Sequence, residues 1–250
     1  MATVILVRHG RTTANVEGVL AGRTPGVTLD ATGREQAGRT GERLGVVPLV
    51  GVVSSPLERC RETAASILSR HHDEHQHPEH HHPEHHADPS GHSLLRIDDA
   101  LTECDYGDWQ GRRLADLAKE KLWSVVQTQP SAAVFPGGES MAAMQARAVA
   151  AIRGHDAAFE AEHGPGAVWV AVSHGDVIKS ILADALGMHL DLFQRISVGP
   201  ASVSIVRYGD GRPEVIATNT DAGDLSWLAR VAQATDAPVG GGAGHPTAAP

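Results

Sequence analysis

The sequence predicts an α/β sandwich of three layers, with a mostly parallel central sheet flanked by helices on both faces. Three observations carry this expectation. Short, almost wholly apolar runs recur at residues 4–7, in "LVGVV" and in "AVWVAV", the pattern of strands buried on both faces. Stretches with helical spacing of apolar residues separate them. And each run stops abruptly on polar residues: Arg8-His9, Ser54-Ser55 and Ser173-His174.

Taken in order, residues 4–7 read as the first buried strand. Thr32-Gly33-Arg34-Glu35 fits a capping box, opening a helix that runs to about Leu44, before Gly45 and Pro48. "LVGVVSSP" reads as a second strand and "LERCRETAASILSRHH" as a helix, with Leu57, Ala64, Ile67 and Leu68 on its apolar face. "SLLRIDDALTE" returns as strand and loop, "RLADLAKEKLWSVV" as a helix, and "QPSAAVFPGG" as a loop. A long alanine-rich helix is expected over 139–162, then the third buried strand and the helix "VIKSILADALGM". "ASVSIVRYG" and "PEVIATNT" read as a terminal hairpin about a turn at 209–211.

Two segments fit no element. Of the 16 histidines, most lie at residues 71–92, in "HHDEHQHPEHHHPEHHADPSGH". The segment has no hydrophobic period, so a disordered insertion with incidental affinity for metal ions is expected there. From 229 to 250 the chain turns rich in Ala, Gly, Pro and Thr, and a flexible tail is expected. Residues 1–228 are thus read as one domain carrying the insertion.

Bulk properties narrow the function. With 250 residues the chain is long enough for a sizeable core, and no apolar stretch approaches the length of a membrane span. The formal net charge of −9 argues against nucleic acid and anionic membranes as partners. Two cysteines, Cys60 and Cys104, make no disulfide framework, so reduced thiols and a cytoplasmic location are expected. The first apolar run is too short for a secretion signal.

In open sheets of this kind ligands bind at the C-terminal ends of the strands. That edge would gather Arg8, His9, Arg59 and His174, two guanidinium and two imidazole groups suited to a phosphate dianion. A neutral imidazole can also attack phosphorus, provided one ring nitrogen is unprotonated and the other is held by an acceptor. Glu103, with Asp105 and Asp108 beside it, offers a proton donor for the leaving alcohol. Ser173 and Asp176 are the residues suited to cap the helix after the third strand. Arg61 rivals Arg59, but residues two apart on a helix face different ways. Arg23 is the further arginine placed to meet a substrate.

"LVRHGRTTAN", "SSPLERCRETA", "LTECDYGDWQG" and "AVSHGDVIK", in that order, resemble the four signature blocks of the histidine phosphatase superfamily, the phosphoglycerate-mutase-like proteins. The resemblance covers about residues 3–208, and the opening block is similar to an actinobacterial subgroup labelled phosphomutase or phosphatase. It implies that His9 is the nucleophile and forms a phosphohistidine. Arg8, Arg59 and His174 would bind the phosphoryl oxygens, and Glu103 would protonate the leaving group and then activate water. Asn15 would help hold the phosphoryl group, and Gly22 would lie in the loop shaping substrate access. No metal and no cofactor are implied, since the arginines supply the positive charge.

Within that family the chain lacks the long basic insertion with which cofactor-dependent mutases grip a second anionic group, and its tail looks too flexible to close over a site. A metal-independent phosphomonoester hydrolase acting on a small phosphorylated metabolite is therefore the leading expectation. A phosphoglycerate-mutase-type phosphomutase is the second, and a non-catalytic phospholigand- or metal-binding protein the third. The expected partner is a small phosphorylated substrate, with a homodimer left open.

Overall fold

The computed structural model describes residues 2–74, 94–209, 212–221 and 239–242. Six strands form one sheet: β1 (Thr3–Arg8), β2 (Leu49–Ser54), β3 (Leu95–Ile97), β4 (Val168–Ser173), β5 (Val203–Arg207) and β6 (Glu214–Thr220). Their spatial order is β3-β2-β4-β1-β5-β6. The first four lie parallel, while β5 runs antiparallel to β1, and β6 to β5. The helices are α1 (Thr13–Glu17), α2 (Ala31–Leu44), α3 (Glu58–Glu74), α4 (Leu114–Leu117), α5 (Lys121–Thr128), α6 (Met141–His163) and α7 (Gly175–Ala185).

The strand pleat sorts the apolar runs into two cores. Ile5, Val7, Val52, Val170 and Val172 pack with Leu44 of α2 and with Cys60, Ala64 and Ile67 of α3. Val4, Leu6, Val53, Trp169 and Ala171 face the opposite way, into a larger core with Ile152 and Phe159 of α6 and Val177, Ile178 and Ile181 of α7. Each large aliphatic or aromatic side chain among them contributes about 1.5–3 kcal/mol by leaving water. The strands are apolar throughout because both faces are covered, as their runs in the sequence imply.

Register aligns the strand ends. Arg8 lies opposite Ser173 and Ser54 opposite Val172. The loops that follow β1, β2 and β4 therefore leave the sheet side by side, and His9, Ser55 and His174 become neighbours. Backbone bonds fix this edge: His9 N–H donates to Ser173 O at 3.0 Å, and Ser55 N–H to Val172 O at 3.0 Å. Gly10 allows α2 to close against the turn, because a Cβ there would lie 2.4 Å from Gly33 O.

Local details depart from expectation. α2 begins at Ala31, capped by Asp30, whose carboxylate accepts from Gly33 N–H. Thr32 lies inside the helix, because a carboxylate two residues earlier is available for the same exposed N–H groups. α6 starts after Ser140, which caps it, so Glu139 stays outside the helix. The helix read over "RLADLAKEKLWSVV" is two, α4 and α5, with a turn between them. Leu117, Trp123 and Val126 all enter the same core. A six-residue separation in a continuous helix would point Leu117 and Trp123 about 120° apart; the turn restores the phase.

The histidine-rich segment lies outside the described residues, except that the backbone of α3 continues through Glu74. Residues 229–238 and 243–250 also lie outside them. Residues 239–242 do not match the expected free tail: Val239 is buried, Gly240 N–H donates to Asp176 Oδ2 at 2.8 Å, and Gly242 O accepts from Arg8 Nη2 at 2.8 Å. Buried donors and acceptors need partners, and these four residues supply them at the sheet edge. Among the described residues no helix is long and apolar enough to cross a membrane.

Candidate active site

The site grows from the end of β1. Arg8 and His9 are both buried. His9 Nδ1 lies 2.7 Å from Gly10 O, and a carbonyl only accepts, so Nδ1 carries the proton. Nε2 is left with its lone pair, and Arg59 Nε–H donates to it at 3.3 Å. Burial, then the charges of Arg59 and Arg8, hold the His9 pKa well below the usual imidazole value. The ring is therefore neutral with Nε2 presented for reaction.

Arg59, on the first turn of α3, ties the parts together. Its Nη2 donates to Gly22 O at 2.7 Å and to His174 Nδ1 at 3.2 Å. The proton of His174 then sits on Nε2, which donates to Ser55 Oγ at 2.8 Å. Burial, then Arg59, keeps His174 neutral as well. The two imidazole centroids are 5.3 Å apart. Arg59 Nη1 and Arg8 Nε are buried with no hydrogen-bond partner among the described residues. Such donors call for an acceptor, and phosphoryl oxygens have the right charge and geometry. Arg61 is exposed, as its two-residue offset from Arg59 implies.

Arg8 holds its guanidinium against backbone oxygens: Nη1 donates to Val198 O at 2.9 Å, and Nη2 to the carbonyls of Gly241 and Gly242. Burial lowers its pKa to about 10, leaving it a cation near neutral pH. Glu103 is buried, with Oε1 accepting from Cys104 N–H at 2.9 Å. Burial, then the nearby charge of Asp176, raises its pKa to about 7. Asp105 is more exposed and forms no part of the cavity wall, which favours Glu103 over its rival.

His9, Asn15, Gly22, Arg59, Glu103 and Gly241 line one cavity, together with apolar Val19, Leu20, Leu114 and Val239. It encloses about 20 Å³, room for about one water. Asn15 lines it, with Oδ1 capping α1 by accepting from Thr12 N–H at 3.1 Å. Gly22 has φ +52°, and a Cβ there would meet Gln110 at 2.6 Å, so glycine is required for its carbonyl to reach Arg59. Arg23 turns away from this cavity, toward the backbone of Glu103 and the carboxylate of Glu139.

Several residues that shape the site carry no functional signal in the sequence. Ser55, visible only as a polar strand end, orients His174. Ser173 and Asp176, suited by position to cap α7, do other work. Ser173 Oγ donates to Leu101 O at 2.7 Å, and buried Asp176 accepts from Tyr106 OH at 2.8 Å. Cys60 Sγ lies 3.5 Å from His174 Nε2, and burial pushes its thiol up to about 12, so it stays protonated.

The family model of the histidine phosphatase superfamily, branch 1, matches residues 4–82 and 84–221. The chain belongs to the histidine phosphatase superfamily. Among curated proteins, the chain is 47% identical over 68 residues to the Mycobacterium tuberculosis protein Rv0525, a match spanning 27% of this chain and 33% of that one. It is 29% identical to a Klebsiella pneumoniae protein named probable phosphoglycerate mutase GpmB, covering 83% of this chain and 86% of the relative. Among solved structures, it superposes on the mycobacterial glucosyl-3-phosphoglycerate phosphatase Rv2419c with TM-score 0.72 at 26% identity, covering 88% of this chain and 99% of the other. The α-ribazole phosphatase of Shigella flexneri gives TM-score 0.67 at 27% identity, with coverages of 87% and 96%.

Proposed function

We propose that this chain is a metal-independent phosphomonoester hydrolase acting on a small phosphorylated metabolite through a phosphohistidine on His9. The observation that carries the reading is one cavity containing a neutral imidazole nitrogen, an arginine with an unpaired buried N–H, and a carboxyl group that is largely protonated just below neutral pH. In the first step His9 Nε2 attacks phosphorus and the P–O bond to the alcohol breaks. Glu103 passes its proton to the departing oxygen. Arg8, Arg59 and His174 hold the remaining phosphoryl oxygens, and the guanidinium charges offset the negative charge of the transition state. In the second step Glu103, now a carboxylate, takes a proton from water as the water oxygen attacks phosphorus. The P–N bond breaks, releasing inorganic phosphate and restoring both groups.

Apart from Glu103 and Arg59, the described lining residues, His9 included, are neutral. This favours a substrate with a single anionic phosphate over one gripped at two anionic ends, and supports hydrolysis over mutase chemistry. Relatives named as phosphatases point the same way. The phosphomutase reading draws on a specific observation too: residues 239–242 form part of the cavity wall, and a mutase must shield its phosphohistidine from water. The mutase name of the Klebsiella relative agrees with it.

The deciding experiment is hydrolysis of p-nitrophenyl phosphate in EDTA by the wild type and by His9→Ala. The expected outcome is activity in EDTA that falls at least ~10³-fold in the variant. Activity persisting in the variant sinks the nucleophile assignment. Turnover that requires a bisphosphate primer establishes the mutase instead.

A further inference from the structure

Outside the cavity, a buried-to-surface ion network surrounds the loop that carries Glu103. Arg147, on α6, donates through Nη1 to the carbonyls of Ala100 at 2.7 Å and Thr102 at 2.8 Å, and through Nη2 to that of Glu103 at 3.2 Å. The same guanidinium forks onto Glu139, with Nη2 to Oε1 at 2.6 Å and Nε to Oε2 at 3.1 Å. Arg23 joins from the loop after α1, donating to Glu103 O at 2.8 Å and to Glu139 Oε1 at 2.9 Å. Glu139 Oε1 also accepts the backbone N–H of Asp105 at 2.9 Å. The peptide on the C-terminal side of Glu103 is thus held by two arginines, and the next residue but one by the carboxylate that bridges them.

We propose that Arg147 and Glu139 are positioning residues that aim the Glu103 carboxyl at the leaving-group oxygen. The proposal rests on the reading of Glu103 as the acid. Neither residue lines the cavity, so both act through the loop. The chemistry suits such a role, because a guanidinium fork fixes direction as well as distance, which a lysine cannot do. Carbonyls 100, 102 and 103 all accept from one guanidinium, so the backbone that carries Glu103, and with it the Cys104 N–H that holds Oε1, cannot shift without breaking several charge-assisted bonds. Although burial acts to raise the Glu139 pKa, the bonds from Arg147 and Asp105 hold it below the usual carboxylate value, so the clamp keeps its charge.

An acid matters most when the leaving group is poor. Phenol, with a pKa of about 10, needs the proton far more than p-nitrophenol does. The test compares phenyl phosphate with p-nitrophenyl phosphate on wild type, Arg147→Lys, Glu139→Gln and Glu103→Gln, with inorganic phosphate inhibition as a check on the anion pocket. In the two clamp variants kcat/KM on phenyl phosphate, which reports the step in which the leaving group departs, is expected to fall about tenfold or more, kcat/KM on p-nitrophenyl phosphate much less, and phosphate inhibition to stay unchanged. Equal losses on both substrates, or no loss on either, overturn the proposal. So does failure of both clamp variants to fold, which assigns the network to stability. If Glu103→Gln spares phenyl phosphate, the acid assignment itself fails and the proposal falls with it.

Discussion

Burial sets the protonation of the two groups that matter most, and it moves them in opposite senses. It disfavours the charged form of each, so it lowers the His9 pKa and raises that of Glu103. A nucleophile that stays unprotonated and an acid that stays protonated can then coexist at one pH. For kcat/KM on phenyl phosphate, the sign follows from Glu103. The active form carries the proton, and that proton is lost as pH rises through about 7. Activity is therefore expected to fall on the alkaline side of neutrality, and Glu103→Gln, slower throughout, should lack that limb. A wild-type profile that keeps rising through pH 8 is incompatible with this assignment. Stability has the same direction: with its pKa raised from 4.5 to about 7, folded Glu103 binds more protons than the unfolded chain, and its contribution declines as pH rises across that interval.

At the scale of elements, residues 239–242 raise a competition. The guanidinium of Arg8 now bonds the carbonyls of Gly241 and Gly242. Arg8 Nε–H is unpaired among the described residues, but a phosphoryl group that also draws on Nη2 must displace those carbonyls. Ending the chain after Pro238 is expected to tighten inhibition by inorganic phosphate severalfold, because the competing oxygens are gone. Weaker inhibition in the truncated protein would instead make this segment part of the phosphate cradle. Gly175 is closely covered here, since a Cβ on it would lie 3.0 Å from Gly241 Cα. Nothing in the composition of "APVGGGAGHP" marks these four residues out from the small and turn-forming residues around them, which is why the sequence alone reads as a free tail.

Across the whole molecule, chain direction sets the described ends that flank residues 75–93 away from the chemistry. β3 runs parallel to β2 and β4. The chain therefore leaves α3 after Glu74 and enters β3 at the end of the sheet opposite to the one that presents His9 and His174. Replacing residues 75–93 with a short Gly/Ser linker is expected to leave kcat and KM on p-nitrophenyl phosphate unchanged, and Tm nearly so, since loop length changes closure entropy only slowly. A large loss of activity would tie the histidines to the site.

The sequence by itself determined the sandwich, through three apolar runs whose polar ends fall at one edge. It also named the residues that the fold brings together there: Arg8, His9, Asn15, Gly22, Arg59 and Glu103, with His174 bonded to Arg59. These were legible because strands covered on both faces leave an unbroken apolar signal, and because polar residues that end such strands stand out against it. The tertiary structure alone decided the rest. The cap of α2, the break between α4 and α5, the place of residues 239–242, and the arginine clamp behind Glu103 are settled by packing, not by local pattern. The longest reaches show why: Arg147 and Ala100 are 47 positions apart, and Arg8 and Gly241 are 233. An arginine on a helix looks solvated in a sequence until packing puts three carbonyls within its reach.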